Sequence, residues 1–361
     1  MRNKDGKVYL LCPYGLGDTL LVCGYKNAIE KKYKAKVMLI IKRSHVAVMR
    51  IYGIVDYIVY DFSHPEIRAI ESRTIRGEIC QGEIYLARPE YDEKNSLFKN
   101  FMERQLSFRE MYSQALGLDE NAEFCMPTQY PEVTKTLTDK LPGSIDEVTL
   151  LLPEMNAPDI DKVPLGFFEK IVLETSKPIV VNMVKPMGIL SEYCIDLTIE
   201  ELIALSLNCR KVISARSGFC DLIYNRANDL EVIYPNNIFY ELYKFESIFL
   251  KKNPYVIERT LSFGTAIKKM DCKTVAIYGM GFVGKRIAEC FKLENIKVEF
   301  VIDKRNDIDG VGAPVYHPEG NIPKVDLIIV TPEKDAKEII HILELKMEHA
   351  KILFYKDLQF Y

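Results

Sequence analysis

The 361-residue chain predicts an α/β fold built on parallel sheets in three successive segments. Three observations predict it. Short apolar runs alternate with helix-length patterns, glycine-containing turns follow three of those runs directly, and a proline-bearing stretch, Pro127 to Pro142, interrupts the alternation as a linker. Strand, helix, strand at this spacing means a parallel sheet with crossover helices, and a chain of this length exceeds one ordinary core.

The first segment opens with an apolar strand at Val8 to Cys12, a turn at Pro13-Tyr-Gly-Leu-Gly17, and a helix started by Asp18 and Thr19 that runs to Lys32. Strands follow at Lys36 to Ile41 and Tyr57 to Tyr60, with a helix at Ser44 to Tyr52 between them and Gly53 ending it. An apolar helix is expected over Leu97 to Leu116, closed by Gly117. The second segment has strands at Val148 to Leu152, Ile179 to Met183, Lys211 to Ser214 and Leu230 to Tyr234. Its helices are Pro164 to Thr175, one opened by the Thr198/Glu201 capping box, and one from Phe219. A further aromatic-rich helix is expected over Asn237 to Leu250, tying the first two segments together. The third segment has strands at Thr274 to Tyr278, Lys297 to Ile302, Val325 to Val330 and Ala350 to Tyr355, with helices at Lys285 to Leu293 and Glu333 to Lys346. The expected domains are 1–145, 146–265 and 272–361.

Composition narrows the classes of function. With 48 basic and 51 acidic residues and a formal charge of −3, the chain is not expected to bind nucleic acid. Nine cysteines without a C-x-x-C pair read as reduced thiols of a cytoplasmic protein, not a disulfide frame or a zinc site. There is no apolar run of membrane-spanning length, which leaves only peripheral membrane contact open.

The chemistry points to the turns. Val212-Ile-Ser-Ala-Arg-Ser-Gly-Phe-Cys-Asp221 carries a strand into a helix whose first N–H groups lack helical partners. Such a start attracts an anion, and Arg216 adds a charged fork of donors. Ser214, Ser217, Gly218 and Asp221 complete this candidate diphosphate site, with Lys185 after the preceding strand as a second cation. Gly15, Gly17 and Asp18 form a related turn, where Asp18 reads either as a helix cap or as a base. Gly279-Met-Gly-Phe-Val-Gly284 is a G-x-G-x-x-G turn, and Asp303 ends the following strand where a ribose hydroxyl would bind. Asp159-Ile-Asp161 and Asp307-Ile-Asp309 match the letters of a cation-binding triplet, but each offers two carboxylates where hard cations gather more, and no metal is expected.

Gly15-Leu-Gly-Asp-Thr-Leu20, Lys42 to Tyr60 and Ile195 to Tyr234, in this order, resemble the heptosyltransferase-like family of bacterial surface polysaccharide enzymes. The resemblance implies two Rossmann-like halves in a GT-B arrangement, an acceptor-side first domain and a donor-binding second domain. The third segment is similar instead to the small Rossmann-like domains of sugar acyltransferases, which implies an accessory nucleotide-binding-type domain. The heptosyltransferase-like resemblance also implies a metal-independent glycosyltransferase that moves a sugar from a nucleoside diphosphate sugar to a glycan or lipid-linked acceptor, at the inner face of the membrane. By the resemblance Asp18 is the general base and the Arg216 turn holds the donor. That family has Asp-Thr-Gly followed by histidine at this turn, where Arg-Ser-Gly-Phe-Cys-Asp stands here. The G-x-G-x-x-G turn supports two rivals, a NAD-dependent nucleotide-sugar oxidoreductase or epimerase and a non-catalytic nucleotide-sugar-binding protein.

Overall fold

A computed structural model describes residues 6–12, 15–60, 85–86, 96–119, 121–155, 161–305 and 307–360; Pro13, Tyr14, Cys80 and Asp159 lie outside them. The described strands form three separate sheets, one for each segment expected from the sequence.

In the first sheet β1 (Val8–Cys12), β2 (Val37–Ile41), β3 (Tyr57–Val59) and β4 (Tyr85–Leu86) lie in the order β3-β2-β1-β4. All pairs are parallel, with Leu10 opposite Leu39 on one side and Tyr85 on the other. Helix α1 (Leu16–Tyr33) joins β1 to β2, and α2 (Val46–Ile51) joins β2 to β3. The single helix expected over Leu97 to Leu116 is two, α3 (Ser96–Met102) and α4 (Phe108–Ala115). Arg104 turns left-handed (φ 61°), and a capping box restarts the chain as a helix: Ser107 Oγ accepts the Glu110 N–H (3.2 Å) and Glu110 Oε2 accepts the Ser107 N–H (2.6 Å). Gly117 closes α4 at φ 66°, as expected of a C-terminal glycine. The proline-bearing stretch holds a short helix, α5 (Lys135–Lys140).

The second sheet runs β6-β5-β7-β8-β9, with β5 (Thr149–Leu152), β6 (Ile179–Val181), β7 (Lys211–Ala215), β8 (Leu230–Tyr234) and β9 (Val256–Thr260). Every residue of β5 and β8 is buried, and both are mostly apolar, with Glu231 of β8 paired to Lys211. Its helices are α6 (Leu165–Glu174), α7 (Ile199–Asn208), α8 (Gly218–Ile223) and α9 (Asn237–Tyr243). The Thr198/Glu201 box caps α7 as expected. The long helix expected to Leu250 stops at Tyr243, because Lys244 is extended (ψ 148°) and the Phe245 N–H turns to Glu258 Oε1 (3.0 Å) on β9. β9 itself was not expected, since Glu258 and Arg259 break its apolar pattern. Nor was α10 (Phe263–Lys269), which the boundary at 265 cuts.

The third sheet runs β12-β11-β10-β13-β14, with β10 (Val275–Tyr278), β11 (Val298–Ile302), β12 (Val315–Tyr316), β13 (Leu327–Val330) and β14 (Lys351–Phe354), all pairs parallel. Helices α11 (Phe282–Leu293) and α12 (Ala336–Lys346) cross over it, and Leu343 and Met347 pack with Phe300, Ile302, Ile328 and Val330. Among the described residues no helix is long and apolar enough to cross a membrane.

The chain divides into two units: residues 1–154, 175–232 and 241–258 form one, and 155–174, 233–240 and 259–361 the other. The boundaries expected from sequence thus mark where the sheets change, not where the units do. Within the second unit, Asp161 accepts from Asn236 Nδ2 (2.8 Å) and pairs with Arg286 (3.3 Å), which binds the two early excursions of the chain to the late one.

Candidate functional site

Strand order reverses beside β1, β7 and β10, the place where open α/β sheets generally bind ligands. The three turns singled out from sequence follow those three strands.

At the first turn Gly15 is extended (φ −76°, ψ 172°) and exposed ahead of α1. Asp18 Oδ2 accepts the Gly15 N–H (3.0 Å), so the capping role open to this residue is realised. Its other oxygen accepts a hydrogen bond from the Tyr112 hydroxyl of α4. Thr19, fully buried, lies with Oγ1 2.8 Å from Nδ1 of His45. Burial, then the charge of Lys42, push the His45 imidazole down to about 4, so it is neutral near pH 7.

At the second turn the Arg216 guanidinium departs from expectation. It is 4% exposed and turned inward: Nε donates to the Tyr243 carbonyl (2.9 Å), Nη1 to the Ser217 carbonyl (2.6 Å), and Nη1 and Nη2 to the two oxygens of Asp221 (3.3 and 2.7 Å). It also stacks over the Phe245 ring, 4.7 Å from the centroid. A buried guanidinium needs such partners. Arg216 thus holds an internal pair with Asp221. Burial pushes the Asp221 carboxyl up to about 6; Arg216 acts against this, and the charge of Asp18 adds to it. Ser214 is fully buried, donating to the Ala215 carbonyl (2.7 Å), while Ser217 and Gly218 at the start of α8 are half-buried.

The two turns meet. A Cβ on Gly218 would lie 2.4 Å from the Gly17 nitrogen, and one on Gly17 would lie 2.7 Å from Asp221 Oδ2. Both positions exclude any side chain. The starts of α1 and α8, each bearing partial positive charge, converge on the Asp221 carboxylate. Tyr130 donates to the Leu222 carbonyl (3.2 Å) near this junction, and ion pairs Arg50–Glu200 and Lys140–Glu201 join the first two segments elsewhere.

Lys185 stands apart. It is exposed after β6, its N–H donating to Glu154 (3.3 Å), and among the described residues no contact joins it to the junction.

The third turn gives its glycines three separate roles. Gly279 has φ 87°, Gly281 opens α11 with nothing within 4 Å of a built Cβ, and a Cβ on Gly284 would sit 2.1 Å from the Gly279 carbonyl oxygen. Asp303 lies at the end of β11, but its carboxylate accepts the Met280 N–H (2.7 Å) and pairs with Arg305 (3.1 Å). Hydrogen bonds from both hold it below the ordinary carboxylate value against its burial. Of the two aspartate triplets, Asp161 serves Arg286 and Asn236, and Asp309 accepts the Val311 N–H (2.8 Å).

Sequence reasoning missed Tyr112 and Tyr243. The Ser107-x-x-Glu110 box was the available signal for α4, which orients Tyr112. Nothing local marks its hydroxyl as a partner of a residue 94 positions away.

No protein-family model matches the chain, and no curated protein matches it. Among solved structures it is similar to a glycosyl transferase family 9 protein from Veillonella parvula, at a TM-score of 0.44 and 11% identity, covering 81% of this chain and 98% of that one. It is similar to E. coli ADP-heptose LPS heptosyltransferase II, at 0.45 and 10%, covering 70% and 89%. It is also similar to E. coli heptosyltransferase WaaC with ADP, at 0.40 and 11%, covering 73% and 98%.

Proposed function

We propose that this chain is a metal-independent glycosyltransferase of GT-B type, moving a sugar from a nucleoside diphosphate sugar to a glycan or lipid-linked acceptor on the cytoplasmic side of a membrane. The observation that carries the reading is Asp18: a half-buried carboxylate on the first turn of α1, beside the reversal of strand order, oriented by the Gly15 N–H and the Tyr112 hydroxyl. In the proposed step Asp18 takes the proton of the acceptor hydroxyl, the freed oxygen bonds to the anomeric carbon, and the nucleoside diphosphate leaves with the electron pair of the broken C–O bond.

The donor contacts are proposed to be the N–H groups at Ser217 and Gly218 and the ammonium of Lys185, with Gly15 and Gly17 giving close backbone approach. Arg216 and Asp221 would brace this turn. Ser214 lies beneath it.

A screen of nucleoside diphosphates and nucleotide sugars by thermal shift identifies the donor, because a ligand of the native state raises the melting temperature. With that donor, Asp18→Asn is expected to lower turnover by roughly 10²–10⁴-fold while leaving the donor-induced thermal shift in place. Turnover unchanged in Asp18→Asn would overturn the reading. The turn formed by Gly279, Gly281 and Gly284 with Asp303 is proposed as an accessory nucleotide-type site; a thermal shift with a nucleotide or nucleotide sugar, lost in Gly281→Val, is the expected result.

A further inference from the structure

Capping α1 requires only one oxygen of Asp18, the one that accepts from Gly15. Its second oxygen receives the Tyr112 hydroxyl, and Tyr112 is 1% exposed. That ring is fixed from several sides. Phe108 packs against it edge-on (5.3 Å between centroids), and Phe108 in turn meets Phe101 (5.4 Å) and Tyr243 (5.4 Å). The box of Ser107 and Glu110 fixes where α4 begins, and hence which way its residues point. Tyr243 accepts the Arg216 Nε–H, so one aromatic cluster borders both turns of the junction.

We propose that Tyr112 is the positioning residue of Asp18. Its hydroxyl donates to Oδ1, locks the carboxylate against rotation and favours its ionised form. The inference rests on the base role proposed for Asp18, and it adds a requirement that a helix cap does not have. A base whose orientation depends on a third group is a recurrent arrangement in proton-transfer sites.

The full-length protein, labelled with 13C at aspartate carboxyls, is the sample that tests this. The Asp18 resonance is the one lost in Asp18→Asn. In Tyr112→Phe its titration midpoint is expected to move to higher pH by about 0.5 unit or more, since a donor to the charged form has been removed. Thermal melts check that this variant is folded. Wild-type protein is also expected to show a slowly exchanging hydroxyl proton that disappears in Tyr112→Phe and in folded Asp18→Ala, where no acceptor remains. An unchanged midpoint in folded Tyr112→Phe, or a hydroxyl proton that survives in folded Asp18→Ala, would overturn the positioning role. Retained turnover in Asp18→Asn instead overturns the base reading itself, so the two failures are told apart.

Discussion

Two buried ionisable groups near the junction, His45 and Asp221, respond to pH in opposite directions. The folded His45 sits at about 4 against an ordinary value of 6.5, so the unfolded chain binds the proton first. Its contribution to stability is complete above pH 6.5 and is lost as pH falls toward 4, with a magnitude on the order of 3 kcal/mol. The folded Asp221 sits at about 6 against 3.8, so between those values the folded chain holds the extra proton. Its contribution therefore falls as pH rises from about 4 to 6. Denaturant melts from pH 4 to 7 are expected to show a flatter loss on acidification for His45→Gln than for wild type, and a steeper one for Asp221→Asn. Equal slopes in all three proteins would contradict both assignments. The same Asp221 is the buried counter-charge of Arg216. It lies five residues on, one helical turn away, and burial of both makes the pair mutually obligatory.

Among the elements, the meeting of α1 and α8 depends on two glycines for space rather than for backbone freedom. Gly218 is helical, so alanine would suit its conformation and gain in helix propensity. The added methyl would nevertheless lie 2.4 Å from the Gly17 nitrogen, a main-chain atom that cannot swing aside. Gly218→Ala is therefore expected to destabilise the fold by about 1–3 kcal/mol, as overpacking does. Gly281→Ala, at a helix start with open space around it, is the control and is expected to change stability little, by about 1 kcal/mol or less. Chemical denaturation of the two variants checks the contrast. Helix ends were read from sequence only where a local device marks them. The Thr198/Glu201 box and Gly117 were legible; the break between α3 and α4 required Arg104 to take a left-handed conformation that its residue type does not announce.

At the scale of the whole molecule, the chain visits its second unit twice before settling there at residue 259. Residues 155–174 and 233–240 belong with the third sheet's unit, and Arg286 of α11 neutralises Asp161 from the first of these excursions. A chain ending at 258 would keep Asp161 and Asn236 but lose Arg286. Such a truncation is expected to be less stable than the intact protein and to expose apolar surface, read as a lower melting midpoint and increased binding of a hydrophobic dye. A truncated chain as stable as the whole would show that these excursions are held by the first unit instead.

Apolar runs and glycine turns, read alone, marked three successive α/β segments, most of their strands and the turns after β1, β7 and β10, because strand and helix periods and glycine's absent Cβ act within a few residues; β4, β9 and β12 left no such mark. The long-range partners of charged groups were decided by the tertiary structure. Beyond the near neighbours Asp221 and Arg305, Arg216 went to Tyr243, Asp18 to Tyr112 and Asp303 to Met280. The physical reason is that a buried charge must be satisfied by whatever donor or acceptor the packing brings within about 3 Å, and proximity in space between distant segments leaves no trace in local pattern.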